Sequence, residues 1–219
     1  MGTVLPPYTE NMMEYSVAKS RVAVLGMLDE THWESAQYNL DTLRSLVKSL
    51  QPDLLCAEIS TEDWQSGDIA RLPLVYREVL VPLSRLINTV IVPVCSSHSG
   101  VNLVPKGGRF LGFRALLVRL LNKILRWMQR LADSPKAVNS TAFGALCHTI
   151  CILTLWLCGP SARQNWDAAY RMLFNNILST IRHDPMRRVL VTVDCRHQHQ
   201  LITDLKRLPE VDLVDYHLL

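Results

Sequence analysis

The chain has 219 residues, of which 48% are hydrophobic and 20% charged, with a net charge of +3. This length and balance fit one globular domain spanning 1–219 and exclude a disordered or collagen-like chain. So small an excess of positive charge leaves no electrostatic footprint for nucleic acid, and no nucleic-acid partner is expected.

Residues 1–20 read as an irregular lead-in without a basic segment followed by an apolar run, so no secretory signal is expected. Arg21 to Leu28 is a short β-branched apolar run, the pattern of a buried strand. Thr31 and Glu34 have capping-box spacing, and Ala36, Leu40, Leu43, Val47 and Leu50 form a helical stripe that Pro52 ends. Asp53 to Ile59 is a second buried strand. Leu74 to Leu86 reads as helix, kinked or broken at Pro82. Thr89 to Val94 is a third strand, placed at an edge by Pro93. Downstream, Trp166 to Ile181 is an amphipathic helix, Arg188 to Asp194 a fourth strand, Gln198 to Leu208 a helix and Val211 to Tyr216 a final strand. Strands alternating with helices predict an α/β fold: a mostly parallel sheet flanked by helices, with its site at the carboxyl ends of the strands.

The middle of the chain departs from this alternation, and residues 106–160 are expected to form a helical insert over the carboxyl rim. From Lys106 to Lys136 there are eight basic residues and one acid, Asp133. Arg119, Lys123, Arg126 and Arg130 share a helical face beside Leu117, Leu120, Leu121, Ile124, Leu125 and Met128. Such a helix either lies on an anionic membrane or packs against a core with a solvated cationic face. Ala142 to Cys158 is an uncharged run of 17 residues that is either buried or membrane-inserted. The six cysteines, Cys56, Cys95, Cys147, Cys151, Cys158 and Cys195, contain no CxxC pair and read as reduced core residues. They predict a cytoplasmic setting, with or without membrane association.

Three polar residues stand where strands end: His32 after the first, Glu58 at the end of the second and His197 after the fourth. Side chains from the carboxyl rim converge on one crevice, and two imidazoles with a carboxylate suit either a divalent metal or a metal-free acid–base pair. Glu58 lies inside an apolar strand, so its carboxylate requires a partner or a task. Arg171 and Asn175 stand at i, i+4 opposite the apolar stripe of their helix. Arg171 is expected either to face solvent or to pin Glu58 or a substrate oxyanion.

Val24-Leu25-Gly26, His32-Trp33-Glu34-Ser35, Leu43 and Pro52-Asp53-Leu54-Leu55-Cys56-Ala57-Glu58 resemble the first motif of the Tiki/TraB superfamily, which includes erythromycin-esterase-like and ChaN-like folds. Arg171-Met172, Asn176-Ile177, the strand Arg188–Val193 and His197, Leu201 and Leu205 resemble its second half. Together these cover 21–60 and 163–208. His32 lies six positions after Gly26 where the family has its histidine three positions after, and Asp194 replaces a glycine. The resemblance implies a hydrolase, peptidase- or esterase-like, acting on a small-molecule or peptide substrate. His32, Glu58 and His197 would bind Mn, Co or Zn or activate water without metal, and Arg171 would stabilise the oxyanion. The two histidines would then face each other across one crevice with Glu58 between them. The alternative is a non-catalytic ligand-binding or membrane-associated module that works through helices 106–158, with peripheral membrane contact.

Overall fold

A computed structural model describes residues 19–28, 32, 35, 37–95, 103, 105, 111–132 and 134–219. Five strands form one parallel sheet: β1 (Ser20–Met27), β2 (Leu54–Ser60), β3 (Val90–Cys95), β4 (Arg188–Asp194) and β5 (Val211–Leu213), in the order β3-β2-β4-β1-β5. The apolar runs are continuous because both faces are covered. On one face, Ala23, Leu25, Leu55, Ala57 and Leu190 pack with α1 (Leu40–Leu50) and α3 (Val81–Ile87). On the other, Val22, Val24, Cys56, Val189, Val191 and Val193 pack with α7 (Pro160–His183) and α8 (Cys195–Leu205).

Moves from β1 to β2 to β3 use the α1/α3 face, and moves from β3 to β4 to β5 run in the opposite direction over the α7/α8 face. Reversing both direction and face preserves one crossover hand. The chain therefore leaves β4 toward one face and its neighbours β1 and β2 toward the other. Such a reversal opens a crevice at the carboxyl ends of parallel strands.

Pro93 does sit on an edge strand, since β3 has a neighbour on one side only. Pro82 lacks an N–H, and the segment from Leu74 absorbs it by widening into a π-helical turn over Tyr76–Leu80 that runs into α3. The first helix starts later than its capping-box spacing suggests. Asn39 Oδ1 accepts the Thr42 N–H at 2.9 Å and opens α1 at Leu40, while Thr31, Trp33, Glu34 and Ala36 lie outside the described residues. The last helix starts three residues early, because the Asp194 carboxylate accepts the Arg196 N–H at 2.7 Å and caps it.

Of residues 106–160, 106–110 and Asp133 lie outside the described residues. The rest form α4 (Leu111–Leu131), α5 (Pro135–Val138) and α6 (Thr141–Cys158). Asn139, after α5, reaches the end of β1, where its Oδ1 accepts the Gly26 N–H at 2.7 Å and the Gln198 Nε2–H at 2.7 Å. Gln198 packs so closely over Gly26 that a Cβ there would lie 2.6 Å from Gln198 Oε1 and would displace the Gln198 amide. Among the described residues α6 is long and apolar enough to cross a membrane. One of its faces nevertheless packs into the body, through Gly144 against α8, Cys147 against Leu125 and Cys195, and Cys151 and Leu155 against Trp166. None of the six cysteines is in a disulfide, and all are buried.

Candidate functional site

The site begins where β2 and β4 part. Their register runs from Leu54 opposite Val189 to Ala57 opposite Thr192, and a bulge follows in β2 between Ala57 and Ser60. In a continued ladder the Glu58 N–H would meet the Thr192 carbonyl. Instead the Tyr76 hydroxyl stands between them, accepting from Glu58 N at 3.0 Å and donating to Thr192 O at 3.2 Å, or to Thr192 Oγ1 at 3.2 Å. Tyr76 is the first residue of the π-helical turn. Beyond this wedge, the Asp194 N–H donates to Glu58 Oε2 at 2.6 Å. The Glu58 side chain thus takes a bond that a β2 carbonyl would have taken.

Glu58 Oε1 lies 3.9 Å from His197 Nε2, with the two side chains 18% and 9% exposed. His197, in the first turn of α8, packs its ring on Trp166 at 4.3 Å between centroids, with Tyr170 at 6.1 Å. Its Nδ1 is buried and has no hydrogen-bond partner among the described residues. Arg196 clamps Asp194 with two bonds, Nε to Oδ1 at 2.9 Å and Nη2 to Oδ2 at 2.8 Å, and lies 5.7 Å from the Trp166 ring centroid.

This arrangement separates the two carboxyls electrostatically. Burial pushes Glu58 up from the ordinary carboxylate range; His197 pulls it down and the Asp194 charge pushes it further up. Burial acts on Asp194 in the same sense, but the Arg196 guanidinium and its hydrogen bonds outweigh it and hold Asp194 at about 2. One carboxylate is locked in an ion pair, and burial holds its neighbour above the ordinary carboxylate range.

His32 is elsewhere. Its Nε2 accepts the Leu28 N–H at 3.0 Å, and its Nδ1–H donates to the Tyr38 carbonyl at 2.8 Å. The ring lies edge-on to Tyr38, which belongs to the α1/α3 face, while His197 packs with α7 and α8 on the opposite face. The expected convergence of His32 and His197 is therefore corrected: β1 and β4 send their following segments to opposite sides of the sheet. The expected Glu58–Arg171 pair is corrected as well. Arg171 is exposed on α7, and the guanidinium acting on Glu58 belongs to Arg196. Asn175 is also exposed.

His32, Glu58 and His197 do not fit one metal ion, because both His32 nitrogens are engaged by backbone. Among the described residues no three His, Cys, Asp or Glu side chains form a metal-holding group. Asp29 and Glu30 lie outside the described residues. Sequence reasoning missed Tyr76, whose function depends on the π-helical turn, and gave no role to Arg196. The i, i+2 relation of Asp194 to Arg196 across a helix cap was its available signal.

Compared with family models, with curated proteins and with solved structures, the chain has no match.

Proposed function

We propose that the crevice between β2 and β4 is a metal-free hydrolytic site, with Glu58 and His197 as an acid–base pair acting on an ester, amide or peptide carbonyl. The observation that carries this is the contrast between the two buried histidines. His32 has both nitrogens tied to backbone, as a structural histidine does, whereas His197 has an unpartnered Nδ1 and turns Nε2 toward Glu58 at 3.9 Å. That separation is too long for a direct hydrogen bond and suits a bridging water.

In this reading Glu58 Oε1 takes a proton as the water oxygen attacks the carbonyl carbon. Protonated His197 then gives the Nε2 proton to the leaving oxygen or nitrogen as its bond to carbon breaks. Transfer of the Glu58 proton to His197 restores both groups. Asp194 and Arg196 are positioning residues: the Asp194 N–H fixes Glu58 Oε2, and the Asp194 carboxylate fixes Arg196. The resemblance to the Tiki/TraB superfamily implied a site joining His32, Glu58, Arg171 and His197; only Glu58 and His197 come together, so the hydrolytic reading rests on that pair and not on the resemblance. Six buried cysteines without a disulfide suit a reducing, cytoplasmic compartment.

The test is turnover of a panel of p-nitrophenyl esters, anilides and fluorogenic peptides by the purified chain. At least one class should be hydrolysed, and Glu58→Gln and His197→Ala should each lower kcat by about 10²–10⁴-fold with circular dichroism unchanged. A wild-type chain inert toward all three classes, or a Glu58→Gln variant of full activity, overturns the proposal.

A further inference from the structure

Ten of the sixteen large hydrophobic side chains exposed among the described residues lie on α4 and α6. On α4 they are Phe113, Leu116, Leu120, Ile124, Trp127 and Leu131. At about 100° per residue these six fall within an arc of roughly 80°, a continuous stripe on the solvent side. The buried residues of α4, Val118, Leu125 and Gln129, lie on a separate arc, so the stripe is not its core seam. Contiguous exposed apolar patches rimmed by polar residues mark interaction or membrane sites.

α6 extends the patch through Leu146, Leu153 and Trp156, the last being 75% exposed. The two helices meet at a largely apolar groove of ≈ 760 Å³ lined by Phe113, Arg114, Leu117, Trp156 and Leu157. Arg114 closes its floor by donating from Nε to the Leu157 carbonyl at 2.7 Å. Exposed Arg119, Lys123 and Arg126 occupy the α4 arc about 90° around from the stripe, with Arg130 beside them. The sequence of α4 contains no aspartate or glutamate.

We infer that the α4/α6 face docks flat on an anionic lipid surface. The apolar stripe and the tryptophans Trp127 and Trp156 would enter the headgroup–acyl boundary, and Arg119, Lys123 and Arg126 would meet lipid phosphates and carboxylates. Charge complementarity selects this occupant. A second copy would bring its own acid-free α4 toward this one, whereas an anionic leaflet offers the opposite sign. The inference is independent of the hydrolytic reading, because no residue of this face belongs to the Glu58–His197 cluster.

The experiment is co-sedimentation of the full chain with vesicles of phosphatidylcholine alone or with about 30 mol% phosphatidylserine, alongside light scattering for mass in solution. Binding should be at least about tenfold tighter to the anionic vesicles and should weaken as salt rises. Leu120→Glu/Ile124→Glu should abolish it. Arg119→Gln/Lys123→Gln/Arg126→Gln, which leaves the apolar surface intact, should lower it by about tenfold or more, with wild-type melting curves. Equal binding to neutral vesicles, or none to anionic ones, overturns the inference. A dimer that ignores vesicles and dissociates in Leu120→Glu/Ile124→Glu also overturns it, because a second copy then covers the face.

Discussion

Replacing Tyr76 with Phe removes one oxygen from the point where β2 and β4 separate. The ring remains in the core beside Leu72 and Val79, so no cavity larger than a hydroxyl forms. Two buried backbone groups lose their partner, the Glu58 N–H and the Thr192 carbonyl, although Thr192 Oγ1 also lies close. A buried polar group left unsatisfied costs about 1–3 kcal/mol. The strands recover little by closing on each other, because β2 is held to β3 at Ser60–Cys95 beyond its bulge and Glu58 Oε2 is held by the Asp194 N–H. The net cost should be about 2–3 kcal/mol, a factor of about 30 or more in the folded-to-unfolded ratio. Urea unfolding at neutral pH should show a lower midpoint at constant slope, and hydrogen exchange should show reduced protection of the Glu58 amide. Hydrolysis should fall as well, since the Glu58 backbone sets the approach of Oε1 to His197. A loss below about 0.5 kcal/mol with Glu58 protection unchanged would show that the hydroxyl does not hold the strands apart, and the account of the crevice would fail.

Glu58→Gln should separate stability from activity. Because burial raises the folded carboxyl above its ordinary value of 4.5, its contribution favours folding at low pH and is lost as pH rises through the folded value. The variant should therefore match or exceed wild-type Tm at pH 7, and the advantage should vanish on acidification toward 4.5. His32 has the opposite sign: burial depresses it below 6.5, so its stabilisation is present above 6.5 and lost as pH falls. Urea melts should show wild type losing more stability than His32→Gln between neutral pH and about 5. Arg171→Ala should leave Tm and turnover unchanged within about 0.5 kcal/mol, whereas Arg196→Ala should cost about 3 kcal/mol by leaving Asp194 buried without its cation.

The strands were legible because a sheet covered on both faces requires unbroken apolar runs, and Val22–Leu25, Leu54–Ala57 and Val189–Val193 supply them. The helix faces were legible for the related reason that Leu173, Ile177 and Ile181 recur at helical spacing. Local signals failed where two compatible ones competed. Thr31 and Glu34 have capping-box spacing, but Asn39 caps α1, and His32 instead bridges the Leu28 N–H and the Tyr38 carbonyl. Which face a strand-end residue joins was not legible, because it depends on where the following helix packs. That arrangement is set by the strand order, which composition does not encode. For the same reason Arg171 sits on the solvent side of a helix whose other side covers the sheet.

Asp194, which stands where the superfamily that the sequence resembles has a glycine, bears directly on the site. A glycine is indispensable only where φ is positive or the backbone must approach another group closely. Asp194 has φ −55° and ψ 142°, ordinary values for any residue that opens a helix. Its side chain performs two tasks that glycine could not: it accepts the Arg196 N–H to start α8, and it holds the Arg196 guanidinium near Glu58. Its backbone N–H, available from any residue except proline, holds Glu58 Oε2. The substitution thus preserves the main-chain contact to the Glu58 carboxylate and adds a second carboxylate, which Arg196 pairs. Glu58 therefore faces an Asp194–Arg196 ion pair, in which the Asp194 charge pushes Glu58 up more than the Arg196 charge pulls it down.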